Sequence, residues 1–196
     1  IMLFSPLNIE FNSEINLPRS KSESNRALMI MHYYGIQEFR NSGIQGRGVE
    51  NSMSLISNSD DTILLRKHLS FVFSHFTDNE VVELDCANAG TVLRFLMTAV
   101  SMTKGTFVLT GSERMKQRPV KPLVDALRSL GVSIDYLEKD SYPPIMIKGC
   151  EIAGGNLDIS VEQSSQFASS LLLAAPLWKN GLSLTLTGNL SSQPYI

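Results

Sequence analysis

A short polar segment followed directly by an apolar helix pattern occurs three times in this chain. The polar segments lie at 21–26, 88–91 and 164–166. The first N–H groups of a helix have no partners within it and carry about half a positive charge, so small polar residues there can hold anions. Because two of the three segments also have a cation nearby, the pattern predicts one cavity that binds phosphates and carboxylates.

The elements between these segments follow a repeating order. The segments are roughly 70 residues apart, a spacing typical of one supersecondary unit used several times. Each unit opens with a polar-capped helix, and the first two continue through a strand, a second helix and further strand or strands. The sequence therefore predicts an α/β fold of repeated units. The third unit is truncated after its first helix and one strand, which suggests a fragment of a longer protein.

The periodicity of apolar residues predicts the individual elements. The expected helices cover 24–34, 61–75, 90–102, 119–130 and 164–175. The expected strands cover 9–17, 81–84, 106–110, 132–137, 145–148, 157–161 and 182–187, with a further strand near 52–56. Gly35 and Gly131 are expected to end the helices before them, and Pro119 to lie in a first helical turn. Asp60 and Asp61 are expected to cap the second helix.

Charge and cysteine content exclude several classes of function. The chain has 17 basic and 19 acidic side chains, a net charge of −2, which argues against general binding to nucleic acid or to a membrane surface. No apolar run approaches the ~20 residues of a membrane span. Cys86 and Cys150 are too few for a disulfide framework and lack metal-ligand spacing. We therefore expect a cytoplasmic protein without a metal, whose affinity for anions is local.

Longer motifs in nearly the whole chain resemble, in order, those of the 5-enolpyruvylshikimate-3-phosphate synthase family. They are LPRSKSESNRAL at 17–28, SNSDDT at 57–62, NAGTVLRFL at 88–96, LTGSERMKQRPVKPLVDAL at 109–127, YPP at 142–144, SSQF at 164–167 and SQPYI at 192–196. The resemblance implies repeated βαβαββ units in two similar domains with the site in the cleft between them. By this resemblance, 1–17 is a strand that belongs to the other domain. The remainder, 18–196, is the shikimate-binding domain, incomplete at its C-terminus.

The resemblance also implies an activity. Members of this family transfer the enolpyruvyl group of phosphoenolpyruvate to the 5-hydroxyl of shikimate 3-phosphate and release phosphate, a step of the shikimate pathway to aromatic amino acids. They need no metal or other cofactor, and glyphosate inhibits them at the phosphoenolpyruvate site. The expected partners are the two small substrates and the second domain, which holds further acidic and basic catalytic residues. Without that domain the fragment is expected to be inactive.

Individual site residues are carried over from the matching motifs. Shikimate 3-phosphate would be bound by Lys21, Ser22, Arg26, Ser164, Ser165, Gln166, Ser192 and Tyr195. Phosphoenolpyruvate would be bound by Lys21, Gly90, Arg118 and Gln166. Lys21 would lie between the substrates as the catalytic residue, where an ammonium can stabilise charge that develops at the breaking C–O bond. Arg94 would support the site, while Arg114 and Lys116 would lie at its rim.

Two other functions fit parts of the pattern. The related UDP-N-acetylglucosamine enolpyruvyl transferases commonly have a reactive Cys ahead of their Arg-Pro-Val, whereas residues 114–117 here contain no thiol. A stand-alone module that binds small anions would need only the polar helix starts. Arg19 departs from the family, which usually has Gly at that position. The histidines and the Asp60–Asp61 pair are interpreted as packing, surface or capping residues.

Overall fold

The computed structural model describes residues 19–42, 56–74 and 80–188. Its helices are α1 (Lys21–Ser42), α2 (Asp60–Ser74), α3 (Gly90–Ser101), α4 (Lys121–Ser129) and α5 (Gln166–Ala174). Its strands are β1 (Val81–Asp85), β2 (Gly105–Thr110), β3 (Ser133–Tyr136), β4 (Ile145–Gly149), β5 (Gly155–Ser160) and β6 (Leu182–Thr187). Short 3-10 helices cover Met115–Gln117 and Ala175–Leu177. The strand predicted at 9–17, nearly all of the one near 52–56, and the site residues Ser192 and Tyr195 lie outside the described residues.

One complete βαβαββ unit runs from β1 to β4. Its sheet has the order β1-β2-β4-β3, in which β1 and β2 are parallel and β4 is antiparallel to both of its neighbours. Helix α3 makes the crossover that two parallel strands require. Leu84 lies opposite Leu109 and Ile134 opposite Ile147, so the apolar residues of neighbouring strands share one face. The predicted unit is confirmed.

The next unit repeats the first half of this arrangement. Strands β5 and β6 are parallel, with Leu157 opposite Leu184, and α5 connects them. The same β-α-β order as in β1-α3-β2 explains why the polar helix start recurs at α5. In the preceding unit the described elements are its two helices, α1 and α2.

Helix α3 lies at the centre of the molecule. Ten of its twelve residues are buried, as expected for a helix that is apolar on all sides. It packs against α5, where Thr98 Oγ1 donates a 3.0 Å hydrogen bond to Ser170 Oγ and so satisfies two buried hydroxyls. Since α1 also packs on α3 and α5, the first helices of three successive units form one packed layer.

Helix α1 differs from its prediction at both ends. It begins at Lys21, because Ser20 caps it: the backbone N–H of Glu23 donates to Ser20 Oγ at 3.3 Å. Ser20-x-x-Glu23 is a capping-box sequence. The helix also passes through Gly35 to Ser42, so the predicted stop is wrong. One glycine inside a helix costs about 1 kcal/mol, which a long, packed helix tolerates.

The residues expected to cap or open two further helices take other positions. Pro119 lies outside α4, which begins at Lys121 with Pro122 in its first turn, so the second proline of the motif takes the role given to the first. Asp60 and Asp61 lie within the first turn of α2 and do not cap it. The acids complement the positive end of the helix dipole from there.

Smaller differences affect α5 and α4. Helix α5 begins two residues later than predicted, at Gln166, and its last turn is the 3-10 helix Ala175–Leu177. Gly131 follows the end of α4 as expected. It has a φ of 94°, a left-handed conformation that favours glycine.

Candidate anion-binding site

The starts of α1, α3 and α5 are joined by side-chain hydrogen bonds. Between α1 and α5, Arg26 Nη2 donates to Ser169 Oγ at 2.9 Å. Between α5 and α3, Gln166 Nε2 donates to Thr91 Oγ1 at 2.8 Å. The three polar segments recognised in the sequence therefore lie together, as the cavity hypothesis requires.

Arg26 is the centre of the contacts at the start of α1. Its Nη1 donates to the carbonyl oxygen and the hydroxyl of Ser22, at 3.1 and 2.7 Å, and its guanidinium lies 5.7 Å from the ring centre of Phe95. Ser169 Oγ in turn donates to the carbonyl oxygen of Ser165 at 3.2 Å. Ser22, Arg26 and Ser165 thus belong to one hydrogen-bonded group, in which a planar guanidinium suits a carboxylate or phosphate.

Lys21 makes a different contact. Its Nζ lies 2.9 Å from Asp61 Oδ2 of α2, and the lysine side chain is 52% exposed. Among the described residues, the hydrogen bond and the ion pair of Lys21 are both with this carboxylate, so neither joins it to Gly90 or Arg118. An ion pair this exposed contributes little stability, so an anionic ligand could replace the carboxylate at small cost.

The guanidinium of Arg118 lies directly over Gly90 at the start of α3. A Cβ built on Gly90 would overlap Arg118 Nη1 and would lie 3.1 Å from Arg94 Nη1. A side chain at position 90 would therefore displace the end of Arg118. The glycine and the arginine that the sequence assigned to one pocket are in contact.

Two loops at the carboxyl ends of β1 and β2, one leading to Gly90 and the other to Arg118, are joined by hydrogen bonds. The backbone N–H of Ser112 donates to Ala87 O at 3.0 Å, and Ser112 Oγ donates to Asn88 Oδ1 at 2.5 Å. The loops approach so closely that a Cβ on Gly111 would overlap Ala87 O. Asn88, interpreted from sequence as part of a helix start, links the two loops through its hydrogen bond with Ser112.

Arg94 and Arg118 form an uncompensated pair of positive charges. Burial, and then the charge of Arg118, lower the pKa of Arg94 to about 10. Within the described ranges, none of the ion pairs involves either arginine. Two neighbouring guanidinium groups without a carboxylate favour the binding of an anion, since it would remove their repulsion.

The rest of the basic run lies away from Gly90. Lys116 Nζ lies 3.0 Å from Glu138 Oε1 and 3.4 Å from Glu113 Oε1, while Arg114 is exposed. Cys86, close to the site in sequence, is fully buried, and burial raises the pKa of its thiol, so a nucleophilic thiolate is disfavoured there.

Metal ligation and membrane insertion find no support in the part of the chain that the structure describes. It contains no group of three or more His, Cys, Asp or Glu residues that could hold a metal ion. Over the same residues, every helix is too short or too polar to cross a bilayer.

The sequence did not assign a linking role to two residues: Thr91 was only part of the second polar segment, and Ser169 was not singled out. Thr91 and Ser169 both carry hydroxyls that join one helix to another. Ser169 lies four residues after Ser165, so the two share a helix face, and this spacing could have identified it. Ser164 acts locally, since its Oγ accepts a 3.2 Å hydrogen bond from the backbone N–H of Gln166.

Comparison with known proteins points to one family. The family model described as EPSP synthase (3-phosphoshikimate 1-carboxyvinyltransferase) matches residues 36–196. A 3-phosphoshikimate 1-carboxyvinyltransferase of Bacteroides fragilis (strain YCH46) is 40% identical over 100% of this chain and 42% of its own length. The protein of the same name from Aliivibrio salmonicida (strain LFI1238) is 38% identical, over 95% of this chain and 45% of its own.

The fold is also similar to solved structures. An EPSP synthase from Acinetobacter baumannii superposes with a TM-score of 0.58 at 23% identity, over 91% of this chain and 41% of that one. This likeness supports the fold alone, because the identity is low. The chain spans less than half the length of the curated relatives named above. The matched motifs, the repeated unit and the family model agree, and the chain belongs to the EPSP synthase (3-phosphoshikimate 1-carboxyvinyltransferase) family.

Proposed function

We propose that the full-length protein transfers the enolpyruvyl group of phosphoenolpyruvate to the 5-hydroxyl of shikimate 3-phosphate and releases phosphate. The observation that carries the proposal is the Arg118 guanidinium, which lies over Gly90 beside Arg94 with no acidic partner among the described residues. Both substrates are phosphorylated carboxylates, and they supply the negative charge that this pair lacks.

The two substrates occupy adjoining parts of the site in this proposal. Phosphoenolpyruvate binds at Gly90, Arg118 and Gln166. The shikimate 3-phosphate site consists of residues at the starts of α1 and α5 together with two C-terminal residues outside the described ranges: Ser22, Arg26, Ser164, Ser165, Gln166, Ser192 and Tyr195. The hydrogen bond between Arg26 and Ser169, at 2.9 Å, supports a common site at α1 and α5.

Lys21 is the catalytic residue of the proposed mechanism. The 5-hydroxyl oxygen adds to C2 of phosphoenolpyruvate and forms a tetrahedral intermediate. The bond between C2 and the phosphate oxygen then breaks, and phosphate leaves. Lys21 exchanges its surface contact with Asp61 for contacts to both substrates and stabilises the charge that develops at the leaving oxygen. Residues of the second domain remove the proton of the 5-hydroxyl and move the proton to C3 on addition and from C3 on elimination.

The proposal extends to domain organisation and location. Residues 18–196 form the larger part of a shikimate-binding domain, and 1–17 belong to the other domain, which closes the cleft. The protein works in the cytoplasm, in the shikimate pathway to aromatic amino acids, and glyphosate competes at the Gly90 and Arg118 pocket. Relatives that are more than twice as long as the matched segment support the presence of a second domain.

Turnover by the full-length protein tests the function. We expect phosphate release that requires both phosphoenolpyruvate and shikimate 3-phosphate, and none when UDP-N-acetylglucosamine replaces the shikimate. Residues 1–196 alone should release no phosphate, because orientation and proton transfer need the second wall of the cleft. Activity with the UDP-sugar would favour the sister reaction. Anion binding by the full-length protein without any turnover would favour a binding module.

Alanine variants of Arg118 and Arg114 test the placement of phosphoenolpyruvate. Arg118→Ala should weaken apparent affinity for phosphoenolpyruvate by roughly 1.5–3 kcal/mol, the value of a charge-assisted hydrogen bond. Its effect on shikimate 3-phosphate should be much smaller. Arg114→Ala is the matched control, since that side chain is exposed and should change neither affinity appreciably. Equal losses for both substrates in Arg118→Ala would make Arg118 a structural residue.

A further inference from the structure

Arg94 and Gln166 form a directed hydrogen-bonded chain across the α3–α5 interface. Arg94 Nη1 donates to Gln166 Oε1 at 2.8 Å, and Gln166 Nε2 donates to Thr91 Oγ1 at 2.8 Å. Arg94 also lies 5.1 Å from the ring centre of Phe167. The chain therefore begins and ends on α3 and passes through the first residue of α5.

The donors and acceptors of this chain allow only one orientation of the Gln166 carboxamide. An arginine can donate but cannot accept, so the end of the amide that faces Arg94 must be the oxygen. Rotating the amide by half a turn would place N–H groups against N–H groups. With Oε1 on Arg94, Nε2 faces the hydroxyl of Thr91, which can accept.

Burial of the Arg94 guanidinium lowers the stability of the fold. Arg94 is largely buried, its Nε has no hydrogen-bond partner within the described residues, and its neighbour Arg118 is also a cation. An apolar side chain of similar length would often be neutral or stabilising in such a place. The unpartnered Nε and the neighbouring cation therefore make arginine a poor choice for fold stability at this position, whereas orientation of Gln166 gives a reason for it.

We propose that Arg94 is a positioning residue, which fixes the carboxamide of Gln166 in one orientation so that one acceptor site and one N–H remain for the two substrates. The carboxamide has two acceptor sites and two N–H groups, and Arg94 and Thr91 use one of each. This inference rests on the proposed function, in which Gln166 contacts both substrates. Arg94 itself contacts neither of them.

A double-mutant cycle in the full-length protein tests the inference. We expect Arg94→Met to lower kcat/KM for both substrates by about tenfold or more, the effect of losing one charge-assisted hydrogen bond. If Arg94 acts mainly through Gln166, the same change in a Gln166→Ala background should cost several-fold less, and the loss that remains measures the charge of Arg94. A residue that only supports the fold, or that attracts phosphoenolpyruvate by its charge, would give the same loss in both backgrounds.

Thr91, at the opposite end of the hydrogen-bonded chain, gives an independent test. Thr91→Val removes the hydroxyl with little change in volume and should lower kcat/KM for both substrates, while Thr91→Ser should restore it. This test decides the matter if Arg94→Met fails to fold. Arg66→Met is the matched control, because it removes an exposed arginine from α2 and should leave kcat/KM unchanged.

The outcomes separate the two proposals. Absence of turnover in the wild-type protein would overturn the proposed function and this inference with it. Normal turnover with additive losses in the Arg94 and Gln166 cycle would overturn only the inference. Wild-type kcat/KM in both Arg94→Met and Thr91→Val would do the same.

Discussion

Gly90 shows how a missing side chain shapes the proposed phosphoenolpyruvate pocket. The group that a Cβ would meet is the end of the flexible Arg118 side chain, with Arg94 Nη1 as the next neighbour. A methyl group at this position would therefore move a guanidinium and leave the backbone in place. The consequence of adding it should be a change in anion binding with little effect on folding.

We predict that Gly90→Ala in the full-length protein weakens glyphosate more than phosphoenolpyruvate, because glyphosate is the longer of the two molecules. Stability should stay equal or rise by up to ~1 kcal/mol, since alanine is the better helix former. Inhibition curves and thermal melting measure the two effects. Undiminished inhibition in a folded variant would show that Gly90 does not line the pocket.

The chain offers a matched control for this substitution. Gly35 is also within a helix, and a Cβ built there meets no atom within 4 Å. Gly35→Ala should raise stability by a similar amount without any change in inhibition. A collapse of stability in Gly90→Ala alone would instead indicate a backbone conformation that only glycine adopts.

The proximity of single residues was predictable where matched motifs contain them, while their ligand-binding roles stay predictions. Gly90 and Arg118 were assigned to one pocket, and they are in contact. The roles of Thr91 and Ser169 could not be read in the same way, because each bonds to a residue far away in the chain on another helix. Such contacts are set by helix packing, about which the local sequence carries little information.

At the scale of elements, the first turn of α1 combines capping with the proposed binding. Ser20 lies outside the helix and satisfies the N–H of Glu23. This leaves Ser22 and Arg26, in the first and second turns of the helix, to bond each other and to reach α5 through Ser169. The polar segment at 21–26 is therefore inside the helix, where its side chains are held at fixed angles.

We predict that Ser20→Ala lowers the free energy of unfolding by about 1 kcal/mol, because the first turn of α1 loses its side-chain acceptor. Urea denaturation should show a lower midpoint with an unchanged slope. Ser20→Asp is the control: its carboxylate can accept the same hydrogen bond and also complements the helix dipole. Equal stability of the alanine variant and the wild type would mean that Ser20 is not an effective cap.

Strands were predicted more accurately than the ends of α1 and the capping residues of α2 and α4, for a physical reason. Alternating burial defines β2 to β6 directly, and their predicted bounds agree with the structure to within two residues. Helix starts are ambiguous in this chain because the same residue types serve as caps and as candidate ligand groups. Ser, Asn and Asp in a first turn give no local signal that separates the two roles.

At the scale of the whole molecule, two half-buried histidines link stability to pH. Burial is the main cause that lowers the pKa of both His32 and His68 below the ordinary value of 6.5. Each ring donates to a backbone carbonyl oxygen, that of Leu28 and that of Asp85, at 2.8 Å. The unfolded chain therefore binds protons at these positions at a higher pH than the folded chain does.

We predict that the chain loses stability as the pH falls through 6.5 toward the lower folded-state values, since proton uptake then favours the unfolded chain. Urea midpoints at several pH values measure this. Replacing both histidines by glutamine should reduce the pH dependence in that window. An unchanged dependence in the double variant would place its origin in other groups.

The repeated architecture was predictable because it depends on order and spacing along the chain. The unit from β1 to β4 has the predicted βαβαββ sequence, and β5-α5-β6 begins the same order again. Which helices become central could not be derived so directly. The burial of α3 on all sides follows from its apolar composition, but its contact with both α1 and α5 depends on how the units stack.

The Arg94–Arg118 pair lowers the stability of the native state but serves the proposed function. Without a bound anion nearby, the two cations weaken the native state, so selection for thermal stability alone would favour variants that lose one of these arginines. Such variants would be more stable and, on our proposals, inactive. A bound anion compensates the two positive charges, so substrate should raise the melting temperature of the protein. On this proposal, selection for enzyme activity retains both arginines although they lower stability.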